Sequence, residues 1–155
     1  MPSTAATASA RPLPLNPLAL RLAYAGLIPF VIGALLIWLL AGYNADAHAF
    51  VALALTSYAA VVISLLGGIH WGLGMRQSIP SPQPFVWGVT ATLLAWVAVV
   101  MPANAGLALH GLVLVICYLV DRRSYPALGA GAWLTLRFRL SALSALCCFL
   151  GAAGS

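Results

Sequence analysis

Charged side chains are scarce in this sequence of 155 residues, and lysine and glutamate do not occur in it at all. Seven arginines and two aspartates make up 6% of the chain, against about 25% charged residues in an ordinary soluble domain. So few charges cannot cover the surface of a globule with polar groups. This scarcity excludes a soluble globular protein. The net charge of +5 does not indicate nucleic-acid binding, because the arginines adjoin apolar segments.

Carboxylates and cysteines are also too few, or too badly placed, for most chemistry. Asp46 and Asp121 are predicted to lie at opposite faces of a membrane, which excludes paired-carboxylate catalysis and disfavours a proton-coupled transporter with carboxylates at membrane depth. The three cysteines lie within apolar runs and are interpreted as packing residues, not as a disulfide framework or redox pair (Cys117, Cys147 and Cys148). The chain has no His-x-x-His, Cys-x-x-Cys or Glu-x-x-His pattern, so we predict no metal site and no cofactor.

Long uncharged apolar runs are what the sequence does contain, and its mean hydropathy is +1.04. A bilayer core requires about 20 apolar residues per helix. The 44 uncharged residues from Gln77 to Val120 are too many for one helix and carry turn-forming residues at 101–106, which indicates a helical hairpin. We predict an all-α polytopic membrane protein, a bundle of five transmembrane helices. The predicted helices are 22–42, 48–74, 84–100, 104–120 and 133–153, in a transmembrane domain of residues 21–153 after a disordered tail of residues 1–20.

The distribution of arginine predicts the orientation. All seven arginines fall on one side of the five-span arrangement, whereas the opposite connections contain only Asp46. The positive-inside rule then places the N-terminus in the cytoplasm and the C-terminus in the periplasm. Arginine without lysine, together with abundant Ala, Gly and Leu, suggests a bacterial gene and hence the cytoplasmic (inner) membrane. In the alternative four-span arrangement the last segment lies in the interface and the C-terminus is cytoplasmic.

The most unusual segment is SLLGGIHWGLGM, residues 64–75 in the second predicted helix. Gly68 and Gly72 lie four residues apart, so they share a helix face that is predicted to let a neighbouring backbone approach closely. Trp71 is predicted to lie at the membrane interface. His70 lies near the inner interface, where a histidine can form hydrogen bonds, change charge near neutral pH or bind a ligand. The alternative is a purely structural hydrogen bond to a neighbouring helix.

Two further polar residues lie on the fourth predicted helix. His110 is deep in the apolar run, so we expect it to be neutral and bonded to a backbone or hydroxyl group inside the bundle. Asp121 closes the helix and is predicted to form an ion pair with one of the nearby arginines (Arg122, Arg123 or Arg137).

Two arginines enter the fifth predicted helix from the inner side. Arg137 and Arg139 point about 200° apart at helical geometry, so only one of them faces the bundle. If the fifth helix packs near the second, the inward arginine and His70 would line a polar pocket under Trp71. Such a pocket is predicted to hold an anionic headgroup or a carboxylate.

Several segments occur in an order that resembles a known family. The resemblance covers residues 20 to 150 approximately, and GGIHWG is its most specific part; the segments are AGLIPF (25–30), SLLGGIHWG (64–72), WGVTATLLAW (87–96) and LRFRLS (136–141). The sequence resembles a family of bacterial inner-membrane proteins of unknown function that also includes the mitochondrial transmembrane protein 69. The family usually has Ser after the helix-3 Trp and a Pro further on, where this chain has Gly88 and Ala91. The resemblance implies the architecture and brings no activity.

Three functional hypotheses follow. The leading one is a non-enzymatic structural, assembly or regulatory component of a membrane complex, whose partners are the bilayer with its anionic lipids and a membrane protein or a second copy. The runner-up is binding or transport of a small hydrophobic or tetrapyrrole-like ligand between helices near His70. The third, an enzyme acting on lipids, lacks a visible nucleophile or acid. The candidate binding residues are Gly68, His70, Trp71, Gly72, His110, Asp121 and Arg137.

Overall fold

All of the regular secondary structure within residues 16–79 and 81–155, the part that the computed structural model describes, is helical. Five segments of this part are long and apolar enough to cross a membrane. The first segment comprises two helices, α1 and α2, and the last begins with a 3-10 turn at Gly131–Trp133. This confirms the predicted all-α, five-span architecture. The helices are α1 Pro17–Ala25, α2 Ile28–Leu40, α3 Ala45–Gly74, α4 Gln83–Val100, α5 Ala103–Ser124 and α6 Leu134–Gly154.

The ends of the helices differ most from the predicted bounds at two places. Helix α1 begins at Pro17, where the side chain of Asn16 accepts a hydrogen bond of 2.8 Å from the backbone N–H of Leu18. Residues 17–20 are therefore helical and do not belong to a tail, while residues 1–15 of the predicted tail lie outside the described part. Helix α5 continues to Ser124, four residues beyond its predicted end at 120, so Asp121 lies on the helix itself.

The first span is broken because of Pro29. Proline has no backbone N–H to donate to the carbonyl of Ala25, and its ring would clash with that carbonyl in a continuous helix. The chain therefore turns at residues 26–27 between α1 and α2. The carbonyl of Gly26 accepts a hydrogen bond of 2.9 Å from the hydroxyl of Tyr58 on α3, which fastens the break to the bundle.

Helix α3 is the centre of the bundle and packs against α2, α4, α5 and α6. The interior is filled by large apolar side chains, whereas many others face outward, where a bilayer would cover them. The largest buried apolar side chains include Phe30, Ile37, Ile63, Leu107 and Leu114.

The backbones of α3 and α4 approach each other closely at Gly67 and Gly88. A Cβ atom added to Gly67 would lie 2.7 Å from the carbonyl oxygen of Gly88. The predicted helix contact at Gly68 and Gly72 is not made within the chain, since both are exposed and a Cβ on either meets no atom within 4 Å. Consecutive residues of a helix point about 100° apart around its axis, so Gly67 faces α4 whereas Gly68 points away from the bundle.

The end of the bundle at which α3 begins and α6 ends is closed by two long-range hydrogen bonds to α6. Nε2 of His48, in the first turn of α3, lies 2.9 Å from the carbonyl oxygen of Gly154, and since a carbonyl only accepts, the imidazole donates. The indole of Trp38 donates to the carbonyl of Leu150 at 3.0 Å. The bond from His48 satisfies a carbonyl that the end of α6 leaves free.

Candidate functional site

Three buried polar side chains meet at the opposite end of the bundle, where α3 and α5 end and α4 and α6 begin. We call it the inner end, after the orientation predicted from the sequence. His70 on α3, Asp121 on α5 and Arg137 on α6 are 2%, 0% and 7% exposed. We call this group the inner cluster. A charge buried among apolar helices requires partners, so the contacts within the cluster decide what it can do.

The carboxylate of Asp121 is approached from two helices. Nε of Arg137 donates to Oδ2 at 2.7 Å, and Nη2 of the same guanidinium lies 2.5 Å from that oxygen. On the other side, Nε2 of His70 lies 3.3 Å from Oδ1. The predicted ion pair of Asp121 is thus confirmed, with Arg137 as its partner, and it joins α5 to α6. The contact between Asp121 and His70 adds α3.

His70 faces a hydrogen-bond acceptor on each side of its ring. Nδ1 lies within hydrogen-bond distance of the carbonyl of Leu66, at 3.3 Å, and Nε2 faces Asp121. A neutral imidazole donates from one nitrogen only, whereas the imidazolium donates from both. In this orientation neither nitrogen presents a lone pair to a metal ion or haem iron.

Tyr125 completes the cluster and was not identified from the sequence. It follows the end of α5 and is only 2% exposed, with its ring centroid 5.7 Å from that of His70. Burial, followed by the negative charge of Asp121, raises the pKa of Tyr125 to about 12, so its hydroxyl stays protonated at physiological pH. The signal available in the sequence was its position four residues after Asp121, on the same helix face.

The remaining arginines and Trp71 lie apart from the cluster. Arg122, Arg123 and Arg139 are exposed, so Arg137 is the inward arginine of α6. The predicted pocket under Trp71 is wrong. The indole of Trp71 donates to the carbonyl of Phe85 at 3.0 Å and lies outside the bundle interior, against α4.

His110 occupies a separate position deeper in the bundle. It is fully buried, and its Nε2 lies 3.1 Å from the carbonyl oxygen of Ala95 on α4. The predicted backbone partner is therefore confirmed. His110 precedes Asp121 by eleven residues, or about 16 Å along the helix, so the structure does not bring it to the inner cluster.

Two cavities flank the inner cluster. One has a volume of about 350 Å³, lies between the inner ends of α3, α4 and α5, and is lined in part by His70, Gln77, Trp87, Arg123 and Ser124. The other, of about 250 Å³, is mostly apolar and lies between the α1–α2 break, α3 and α6, with Arg137 in its wall. The three cysteines are buried and free, which confirms their interpretation as packing residues.

Comparison with known proteins supports the membrane architecture. The family described as protein of unknown function (DUF3429) matches residues 15–153. The chain is also similar to Transmembrane protein 69 of Xenopus tropicalis, at 35% identity over 117 residues that cover 70% of this chain and 45% of that protein. It thus spans less than half the length of this curated relative, and no solved structure matches it. The match over almost the whole sequence shows that the chain belongs to the DUF3429 family of membrane proteins.

Proposed function

We propose that this protein is a non-enzymatic structural, assembly or regulatory component of a complex in the bacterial cytoplasmic membrane. The observation that carries the proposal is the exposed glycine face of α3, formed by Gly68 and Gly72. Transmembrane helices associate through small residues because these let two backbones approach closely. Neither glycine has a neighbouring atom within 4 Å of a Cβ position, so this face is open to another helix.

The surroundings of this face also suit a helix. A shallow groove of about 260 Å³ runs between α3 and α4 and is lined by Ser64, Gly68 and Thr92, with Trp71 at one end. The hydroxyls of Ser64 and Thr92 bond to carbonyls of their own helices, at 2.9 and 3.0 Å. The groove therefore presents small side chains and no unsatisfied hydroxyl, a surface that favours close packing of an apolar helix.

The polar groups of the inner cluster are engaged with one another. Asp121 and Arg137 form an ion pair, and both nitrogens of His70 face acceptors. This arrangement supports a role in holding α3, α5 and α6 together, and thereby in setting the orientation of the glycine face.

Photo-crosslinking tests the proposal. A benzophenone amino acid at residue 68 or 72 of the full chain is expected to give a discrete crosslinked protein band in native membranes. A matched probe at Leu119, which is 49% exposed on α5, is expected to crosslink to lipid alone. Mass spectrometry of the band distinguishes a second copy from another membrane protein. Lipid adducts alone at all three positions would contradict the proposal.

A second candidate function rests on the apolar cavity beside Arg137. Its wall includes Phe30, Leu66 and Leu136, a lining that suits a small hydrophobic ligand. Absorbance and solvent extraction of the purified protein distinguish the candidates. A stoichiometric bound chromophore or lipophilic compound supports this candidate, whereas colourless protein that co-purifies with stoichiometric partners supports the first.

A further inference from the structure

We propose that the cavity between the inner ends of α3, α4 and α5 binds a phosphate group, either free or in a lipid headgroup. The cavity has a volume of about 350 Å³ and is lined by groups suited to an anion, including Arg123, Ser124 and His70. This binding site is separate from the glycine face on which the proposed function rests.

The charge around the cavity is positive and not balanced. Within residues 16–79 and 81–155, Arg123 forms no ion pair, and no carboxylate lines this cavity. Asp121, two residues earlier on α5, is already paired with Arg137. An exposed arginine beside a concave surface therefore has no internal counter-charge and is available to an anion.

The N-terminus of α4 contributes a second positive group. Helix α4 begins at Gln83, and its N-cap residue Pro82 provides no side-chain hydrogen bond. Pro84 has no backbone N–H, but the N–H groups of the other first-turn residues have no acceptor within the helix, and the helix dipole is positive at this end. Gln83 and Pro84 line the cavity, so this end of α4 borders the same space as Arg123.

His70 provides a buried polar wall. Only 2% of the residue is exposed, yet it lines the cavity. Nε2 faces Oδ1 of Asp121 at 3.3 Å and Nδ1 faces the carbonyl of Leu66, so His70 contributes its ring to the wall and no free donor. The cavity therefore combines a guanidinium, a serine hydroxyl and a helix N-terminus, whereas a helix N-terminus alone would be a weak indication.

An apolar groove connects this cavity with the outer surface of α5. Val120 and Arg123 line both spaces, and the groove also contains Ile116 and Leu119. An acyl chain lying along the groove would place a lipid phosphate beside Arg123. A free phosphate would need only the cavity, so the two sources share one recognition chemistry and differ in their use of the groove.

Binding measurements on the full-length protein in detergent test the site. Titration calorimetry with inorganic phosphate and with short-chain phosphatidic acid, at constant ionic strength set by chloride, is expected to show saturable binding of at least one probe. Arg123→Gln is expected to weaken that binding by about tenfold, because a charge-assisted contact is lost. The matched control Arg139→Gln makes the same change in net charge at an exposed arginine outside both spaces and is expected to leave binding unchanged.

Gln83→Glu separates loss of binding from loss of folding. A carboxylate in the first turn of α4 favours the helix dipole, so the melting temperature is expected to stay the same or rise, while repulsion weakens binding. Binding of inorganic phosphate assigns the site to a soluble phosphate compound, and binding of phosphatidic acid alone assigns it to a lipid. Absence of binding by either probe, or an equal loss in Arg123→Gln and Arg139→Gln, would overturn the proposal.

Discussion

At the residue scale, the inner cluster shows how a carboxylate is held inside an apolar bundle. Removing charges from water is costly, and the attraction between them offsets that cost only with good geometry. Arg137 makes one hydrogen bond and one further close contact, both to Oδ2 of Asp121. The ion pair therefore contributes mainly by fixing the relative positions of α5 and α6.

The first prediction concerns this ion pair. Arg137→Met is expected to lower the free energy of unfolding by about 3–5 kcal/mol, because it leaves Asp121 buried without its partner. The double variant with Asp121→Leu is expected to recover much of the loss, since no buried charge then remains. Thermal or denaturant unfolding in detergent measures the wild type, the two single variants Arg137→Met and Asp121→Leu, and the double variant. Strictly additive losses would show that the two side chains are not coupled.

The second prediction concerns Tyr125 and alkaline pH. The pKa of Tyr125 is raised from its ordinary 10 to about 12 in the folded protein, so between these values the unfolded chain binds fewer protons than the folded one. Stability conferred by the neutral phenol is thus present below pH 10 and decreases as the pH rises towards 12. The loss amounts to at most about 1.4 kcal/mol per pH unit.

Tyr125→Phe isolates that contribution, because every other titrating group is still present in the variant. The difference in melting temperature between the wild type and the variant is expected to be constant below pH 10 and to decline above it. The measurement is the melting temperature of both proteins from pH 7 to pH 11. Parallel curves over the whole range would mean that Tyr125 does not titrate in this way.

At the same scale, the sequence predicted the members of the inner cluster better than their pairing. Asp121 had three candidate arginines, and Arg122 and Arg123 point about 100° and 200° away from it around α5. Only the packing of α6 against α5 brings Arg137 to the carboxylate. The prediction that His70 changes charge in function stays a prediction.

At the scale of the element, the uncharged runs predicted the five spans because a helix in a bilayer excludes charge along its whole length. The break at Pro29 was missed, since the apolar run continues through it. The packing face of α3 was placed one residue too far along, because composition does not determine which side of an apolar helix meets α4. That choice depends on the fit between Gly67 and Gly88.

The third prediction uses this pair of adjacent glycines as a matched test. Gly67→Leu is expected to lower the free energy of unfolding by about 1–3 kcal/mol, because the new side chain would meet the backbone of Gly88. Gly68→Leu is expected to leave stability nearly unchanged, since this position is open. Melting temperature and yield in detergent measure both variants. Greater damage from Gly68→Leu would place the α3–α4 contact on the other face.

At the scale of the whole molecule, the structure separates the two ends of the bundle by charge. Arg76, Arg122, Arg123 and Arg139 are exposed at the inner end, whereas Asp46 lies in the first turn of α3 at the opposite end. This asymmetry agrees with the orientation predicted from the sequence, because positively charged segments are retained in the cytoplasm. In that orientation, five spans would end with the C-terminus on the periplasmic side.

The last prediction tests that orientation with reporter fusions. Alkaline phosphatase is active only in the periplasm, so a fusion after Ser155 is expected to be active, and a fluorescent protein that matures only in the cytoplasm is expected to be dark at the same point. A phosphatase fusion after Ala127, between α5 and α6, is expected to be inactive and is the matched control. An inactive phosphatase at both points would instead support four spans, with α6 in the interface. His48 argues against that outcome, since its contact with the carbonyl of Gly154 places the end of α6 beside the start of α3, across the bundle from the arginines.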